Sequence, residues 1–361
     1  MKKIFMPICF IAAGIIFSSC NPMKPAKGPE DEIYVVADSA EFTVLEPVID
    51  STFERIINTP QPEKLFTVKR ISVERINNYK DRKNLIFLAP LDSKSETSRY
   101  INNVIDDAVR NKIISDSNLI VRKYNLWAKD QLVMVLSAPG MRELISKISR
   151  NADDLLNSYQ KISDKRLFES LYNSHFEQKN VEGRFLKDYG WIIYVQPDFK
   201  VAVNDSVNHF VWMRCSPESD VERWIFVHWI DNASPAYLNP DSVRIIRDRM
   251  TKKYYHITKN GGYVVIADDY YTTSEANFND RYALLTQGLW DLNTKAMDGP
   301  FVNYTFYDDK THRIYMIDGS VYAPKYYKRN LIQQMDVTLQ SFMTEAEIKP
   351  GRKEDLLSAA N

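Results

Sequence analysis

Glycine, cysteine and net charge are all in short supply, and each shortage excludes something. Eleven glycines in 361 residues amount to about 3% against a usual ~7%, so few positions let backbone approach a phosphate closely. No P-loop, G-x-G-x-x-G or G-x-S-x-G pattern occurs, which removes the common nucleotide-cradling and serine-nucleophile motifs. Lys and Arg number 47 against 47 Asp and Glu. A neutral chain lacks the electrostatic footprint that binding a nucleic-acid backbone requires, so no nucleic-acid partner is expected. Neither HExxH nor a paired Cys/His spacing is present, and the five histidines, His175, His209, His228, His256 and His312, stand singly. No metal or other cofactor is expected on these grounds.

Long apolar runs are confined to the front of the chain. Lys2 and Lys3 precede an apolar stretch from Ile4 to Phe17, closed by Ser18, Ser19 and Cys20. This is the layout of a signal peptide over residues 1–19, and it falls short of the roughly 20 residues that span a bilayer. Phe17-Ser18-Ser19-Cys20 resembles a bacterial lipobox, with Phe17 where Leu is usual. The resemblance implies acylation of Cys20, with the lipid bilayer as a partner through that residue. Of the three cysteines, Cys9 would leave with the leader and Cys20 would carry the lipid. Cys215 alone remains in the body, so no internal disulfide is expected, and its place after the apolar run Phe210–Met213 reads as an inert, partly buried thiol. Residues 20–32, the acylated cysteine and a Pro-punctuated stretch, read as a tether reaching at most about 37 Å. Composition adds no electrostatic pull towards anionic lipid.

The rest is mixed α and β. Apolar runs predict strands at 33–37, 65–68, 84–88, 119–124 and 131–136. Thr43-x-x-Glu46 reads as a capping box opening a helix with Val44, Leu45, Val48, Ile49, Phe53, Ile56 and Ile57 on one stripe and Pro47 in its first turn. A second helix turns Ile101, Val104, Ile105 and Ala108 inward. The longest pattern runs from Met141 through Leu144, Ile148, Leu155 and Tyr159 towards Tyr172. Beyond Trp191 aromatic and β-branched runs dominate, at 191–195, 210–213 and 224–230. A helix over 241–254, capped by Asp241 or Ser242, interrupts them. Strands resume at 263–267, 282–292, 301–306 and 313–317, the last two a hairpin through Asp308–Thr311, before a closing helix carrying Leu331, Ile332, Met335, Leu339 and Phe342. The composition shift near 180 divides an N-terminal α+β lobe (33–180) from a C-terminal β-rich α+β lobe (181–343), with a flexible tail over 344–361. The fold class is therefore α+β: two lobes of mostly antiparallel sheet packed against helices, compatible with descent of both lobes from one unit.

Several strings carry a resemblance. They are IYVVADS from Ile33, PQPEKLF from Pro60, RKNLIFL from Arg82, WAKDQLVMVLSAP from Trp127, FVWMR from Phe210, and the block from Arg281 to Asn330 beginning RYALLTQGLWDL. Together they resemble domain-of-unknown-function family 4837, a group of Bacteroidota lipoproteins, over about residues 33 to 343. What the resemblance implies is export, lipidation and a shared fold; it supplies no catalytic residues. In such lipoproteins acidic residues directly after the acylated cysteine mark surface export. Asn21-Pro22-Met23-Lys24 lacks them, which implies a cell-envelope position on the outer membrane, facing the periplasm.

Chemistry has few candidates. Asp38, Asp231, Asp268 and Asp318 each follow a predicted strand, and parallel strands would bring such acids to one sheet edge, as a glycosidase needs. Solvated turn aspartates are the commoner outcome. His228 shares a strand face with Trp224, Phe226 and Ile230 and reads as a hydrogen-bonded sheet histidine. The pairs Tyr254-Tyr255, Tyr270-Tyr271 and Tyr326-Tyr327 offer aromatic surface to a sugar or peptide, with one ring of each pair expected inward. Lys325, Lys328 and Arg329, beside Tyr326 and Tyr327, would gather at the N-terminus of the closing helix, where an anion binds readily. The expectation is a non-catalytic, membrane-anchored lipoprotein binding an envelope protein or glycan, with Tyr326, Tyr327, Lys325, Arg329 and Asp318 as candidate contacts. The alternative is a glycan-directed hydrolase using strand-end carboxylates.

Overall fold

The computed structural model describes residues 23–115, 118–216, 220–257 and 261–360. The leader, Cys9 and Cys20 lie outside the described residues. The N-terminal part runs β1 (Glu32–Val36), α1 (Ser39–Phe53), β2 (Ile56–Thr59), β3 (Gln61–Lys64), β4 (Thr67–Ile71), β5 (Asn84–Leu88), α2 (Glu96–Val104), α3 (Asp107–Ser115), β6 (Val121–Tyr124), β7 (Leu132–Leu136), α4 (Met141–Arg150) and α5 (Ala152–Leu171). Five strands form one sheet in the order β4-β1-β5-β7-β6. The expected antiparallel pairing does not hold in this sheet: β1 pairs parallel with β4 and β5, β5 parallel with β7, and only β6 runs antiparallel to its neighbour. The reason is visible in the strand sequences. EIYVV, NLIFL and LVMVL are apolar without alternation, because helices and loops cover both faces. Ile33, Val35, Ile86 and Leu88 pack under α1, α4 and α5, while Tyr34, Val36, Leu85 and Phe87 pack with Ile101 of α2.

The C-terminal part continues with α6 (Lys179–Tyr189), β8 (Trp191–Ile192), β9 (Lys200–Asp205), β10 (Phe210–Cys215), β11 (Glu222–Ile230), α7 (Pro240–Tyr254), β12 (His256–Ile257), β13 (Gly262–Phe278), β14 (Arg281–Leu292), β15 (Asp298–Asp308), β16 (Arg313–Tyr322), α8 (Arg329–Leu339), β17 (Met343–Thr344) and α9 (Pro350–Ala359). Eight strands make an antiparallel sheet in the order β12-β13-β14-β15-β16-β11-β10-β9. It gives the molecule its mostly antiparallel, α+β character. One face packs Val211, Ile317 and Tyr304 with Phe185 of α6 and Met335 and Leu339 of α8. The other packs Phe226, Trp224 and Trp290 with Val243 and Met250 of α7. Strand order and direction differ between the two sheets, so the suggested duplication is not seen.

Several expectations need correction. Asp38, not Thr43, opens α1, accepting a hydrogen bond from the Ala40 amide at 2.9 Å, so Pro47 lies inside the helix. The long helix breaks at Asn151 into α4 and α5. Asn239 caps α7 through the Ser242 amide at 2.9 Å. The tail is helical: α9 buries Leu356 against α6, where an added Cβ on Gly183 would meet the Leu356 carbonyl oxygen at 2.1 Å. The tether is pinned too. Ala26 N–H donates to the Lys129 carbonyl at 2.9 Å, and Lys27 N–H to the Asp81 carbonyl at 2.8 Å. Among the described residues no helix is long and apolar enough to cross a membrane.

Candidate functional site

The β2–β3 hairpin reaches across from the N-terminal lobe and seats its turn on α8. Glu63 of β3 accepts from the backbone N–H groups of Lys328 at 2.7 Å and Arg329 at 3.1 Å, the first amides of α8. Lys328 Nζ donates to Gln61 at 2.9 Å, and the Arg329 guanidinium lies 5.5 Å from the Phe66 ring. Beside this contact α5 meets α8, where Gln333 donates to Ser163 at 3.1 Å and to Asp164 at 2.7 Å.

Two cavities lie along this junction. The larger, about 310 Å³, is bounded by Ile56–Thr59 of β2 and by Asp269–Thr272, Gln287, Gly288 and Phe301 of the large sheet. An irregularity between Ile266 and Tyr271 breaks the β13–β14 register there, and it needs Gly288: an added Cβ would meet the Tyr270 carbonyl oxygen at 2.0 Å. The offset leaves Tyr270 exposed at the rim. The smaller cavity, about 150 Å³, is walled by Ile57, Leu65, Phe301 and Ile332 and carries Asp164, Asp336, Arg329 and three glutamine amides. The two share Ile57, Gln287, Phe301 and Ile332. Apolar walls with a few convergent polar groups, set between two packed units, are the usual make-up of a ligand pocket.

Its electrostatics are set by burial. Desolvation pushes the Asp164 carboxyl up to about 6, the Gln333 hydrogen bond opposing and the nearby Asp336 reinforcing the rise. Asp336 is also raised by burial, against hydrogen bonds from Tyr304 (2.7 Å) and Gln340. Two carboxyls that resist ionisation thus line one cavity, on α5 and α8 rather than at strand ends.

Two family models match separate stretches of the chain. A model described as "Domain of unknown function (DUF4837)" matches residues 177–341, and another, "Domain of unknown function (DUF8532)", matches residues 26–172. Residues 177–341 are similar to the DUF4837 family. The strings from Ile33, Pro60, Arg82 and Trp127 fall instead in the DUF8532 match, so the likeness to DUF4837 is confined to residues 177–341 and does not extend over 33–343. None of the curated proteins matches the chain. Among solved structures, the Saccharomyces cerevisiae Ran-binding protein Mog1p and a point mutant of Mog1 each show 10% identity and a TM-score of 0.30, covering 43% of this chain and 90% of theirs.

The predicted residues scatter over the fold. Lys325 pairs with Asp220 at the surface. Tyr326 and Tyr327 are both exposed, at 51% and 83%, so neither ring packs inward as expected. Arg329 is buried and lines the smaller cavity. The anion at the helix N-terminus is the chain's own Glu63 carboxylate. Asp318 lies inside β16, fully buried, 2.7 Å from Arg247 Nε and bonded by Asn303 (3.1 Å) and Ser320 (2.9 Å). Asp38 caps α1, Asp231 pairs with Arg313, and Asp268 pairs with Arg244. The four aspartates serve four separate local structures. His228 is buried, its Nδ1 2.8 Å from the His209 carbonyl. Cys215 is buried, its thiol raised by desolvation and 3.2 Å from Asp198. Among the described residues no group of three or more His, Cys, Asp or Glu is placed to hold a metal ion.

Sequence reasoning missed the cleft because its lining is split between distant segments. Ile56 and Ile57 read as a continuation of the α1 stripe, although they belong to β2. One signal was available: Asp336 falls four residues after Ile332 on the inward stripe of the closing helix, where a charge needs a reason.

Proposed function

We propose that this is an exported lipoprotein, anchored through acylated Cys20, whose body binds an envelope protein or glycan in the cleft between its lobes and makes or breaks no bond itself. The observation that carries the binding reading is the paired cavity at the β2–β3 hairpin, walled by both lobes. Its polar groups are amides and carboxyls suited to hydrogen-bonding a polyhydroxyl or peptide ligand, and Tyr270 adds a ring at the rim. The anchor rests on the lipobox-like residues and on the length of chain that follows. Because Lys24 is already held to the body by its hydrogen bond from Lys129 N–H, the four links from Cys20 to Lys24 reach only about 14 Å, well short of the 37 Å a free tether would give. Labelled palmitate with intact-mass analysis tests the anchor: an acylated residue 20 is expected, and an unmodified residue 20 in the cytosol contradicts it.

A hydrolase reading has one observation in its favour, the Asp164–Asp336 pair facing one cavity with both carboxyls raised. The cavity holds only about 150 Å³, half the lower end of ordinary ligand pockets at roughly 300 Å³, and Asp336 is engaged by Tyr304 and Gln340. Glycan turnover abolished by Asp164→Asn would establish it in place of the binding reading.

A further inference from the structure

Where the chain leaves for Cys20, the surface changes character. Lys24 and Ala26 run against the β6–β7 loop, with the Lys24 carbonyl accepting from Lys129 N–H at 2.8 Å. Lys27 lies against the 79–83 turn, its carbonyl accepting from Lys83 N–H at 3.0 Å. These segments form the edge of the five-stranded sheet at which its parallel strands begin. Three large apolar side chains stand exposed there: Met23 at 45%, Tyr124 at 55% and Leu126 at 43%. Around them Lys24, Lys80, Lys123, Lys129 and Lys161 are exposed.

The acids of the edge are mostly spoken for. Asp81 pairs with Lys27 at 2.9 Å, and Asp130 pairs with Lys165 at 2.5 Å and lies 3.8 Å from Lys129. Glu30 is drawn inward to Arg166 at 2.8 Å and Lys83 at 2.5 Å. Lys24, Lys80, Lys123 and Lys161 enter no ion pair among the described residues. Between the β6–β7 loop and α5 a cleft of about 260 Å³ opens, bordered by Tyr124, Asn125, Ile162, Lys161 and Lys165. Lys161 and the Tyr124 ring stand at this cleft, where Asp130 is neutralised by Lys165, and the unpaired Lys24, Lys80 and Lys123 with the exposed Met23 and Leu126 lie on the same edge, a combination that matches a membrane surface in charge and polarity.

We propose that this edge docks on the bilayer, its lysines against the phosphodiester groups of anionic lipid and Met23, Tyr124 and Leu126 at the headgroup boundary. Two observations name the occupant: the charge complementarity, and the four-link distance from Cys20, which leaves the edge nowhere else to face. The second rests on the anchor proposed above; the first does not. Net charge gives no hint of this, because the acids that balance the lysines lie elsewhere or are already paired.

The test uses the full protein in phosphatidylcholine vesicles with and without phosphatidylglycerol, reading amide exchange of residues 123–131 and the intact mass of residue 20. With residue 20 acylated, exchange in that loop should slow at least ten-fold on the anionic vesicles alone, and the protection should vanish in high salt and in Lys24→Glu/Lys123→Glu/Lys161→Glu. Equal exchange on both vesicles overturns the docking while leaving the anchor intact. With residue 20 unmodified, flotation with anionic vesicles that the triple variant weakens ~100-fold supports docking without the anchor, and failure to float overturns both.

Discussion

At the scale of single residues, buried charge holds the large sheet to α7. Arg247 and Asp318 are both fully buried, the guanidinium resting 3.8 Å from the Phe301 ring. Asp318→Ala leaves an uncompensated cation in the core and should cost ~3–5 kcal/mol in urea unfolding, while Arg247→Met/Asp318→Asn should cost much less. Two other groups contribute to the acid response with opposite signs. Burial holds His228 neutral, lowering it from 6.5 to about 4, so the unfolded chain takes up the proton first and stability falls as pH drops from 6.5 to 4. Asp164 is raised from 3.8 to about 6, so the folded state takes up the proton first and stability rises as pH drops through that window. Each effect is worth ~3 kcal/mol, and they largely cancel. Relative to the unsubstituted protein, His228→Gln should therefore shift the stability change on acidification between pH 6 and 4 towards gain, and Asp164→Asn should shift it towards loss. Melting curves across that range check both; equal slopes in the two variants would contradict the assignment.

At the scale of elements, Gly183 decides whether α9 belongs to the fold. Gly183→Ala should strip α9 from α6, lowering stability by ~1–3 kcal/mol and opening residues after about 345 to proteolysis. The helix had been unreadable because its contribution is one buried leucine and an Arg352 bridge to Glu177 and Glu182, neither of which makes a periodic stripe. Where burial is one-sided or complete, the sequence was legible. Asn84–Leu88 reads as a strand with both ends right, and Leu144, Ile148, Leu155 and Tyr159 all face inward. Direction of pairing was not legible, since an apolar run such as LVMVL fits a parallel centre as well as an antiparallel one. The cleft was the least legible feature. Its walls come from a four-residue strand, a register irregularity held open by Gly288 and a helix contact across the lobes, and none of these leaves a local pattern.

At the scale of the whole molecule, the lobes are joined by a carboxylate at a helix terminus, and the same junction forms the cleft. Glu63 satisfies two of the first amides of α8 and complements the helix dipole. Glu63→Ala should cost ~1 kcal/mol as a lost cap and loosen the hairpin, visible as faster amide exchange across residues 56–64. A reading in which the lobes only happen to touch predicts no change there. The central claim, that the cleft engages a ligand in the envelope, is tested most directly in living cells by a photo-crosslinking phenylalanine analogue placed at Tyr270, with Tyr237 as an exposed control outside the cleft. The account predicts one reproducible adduct from position 270 that is absent from position 237; identical patterns at both positions, or none at either, would contradict it.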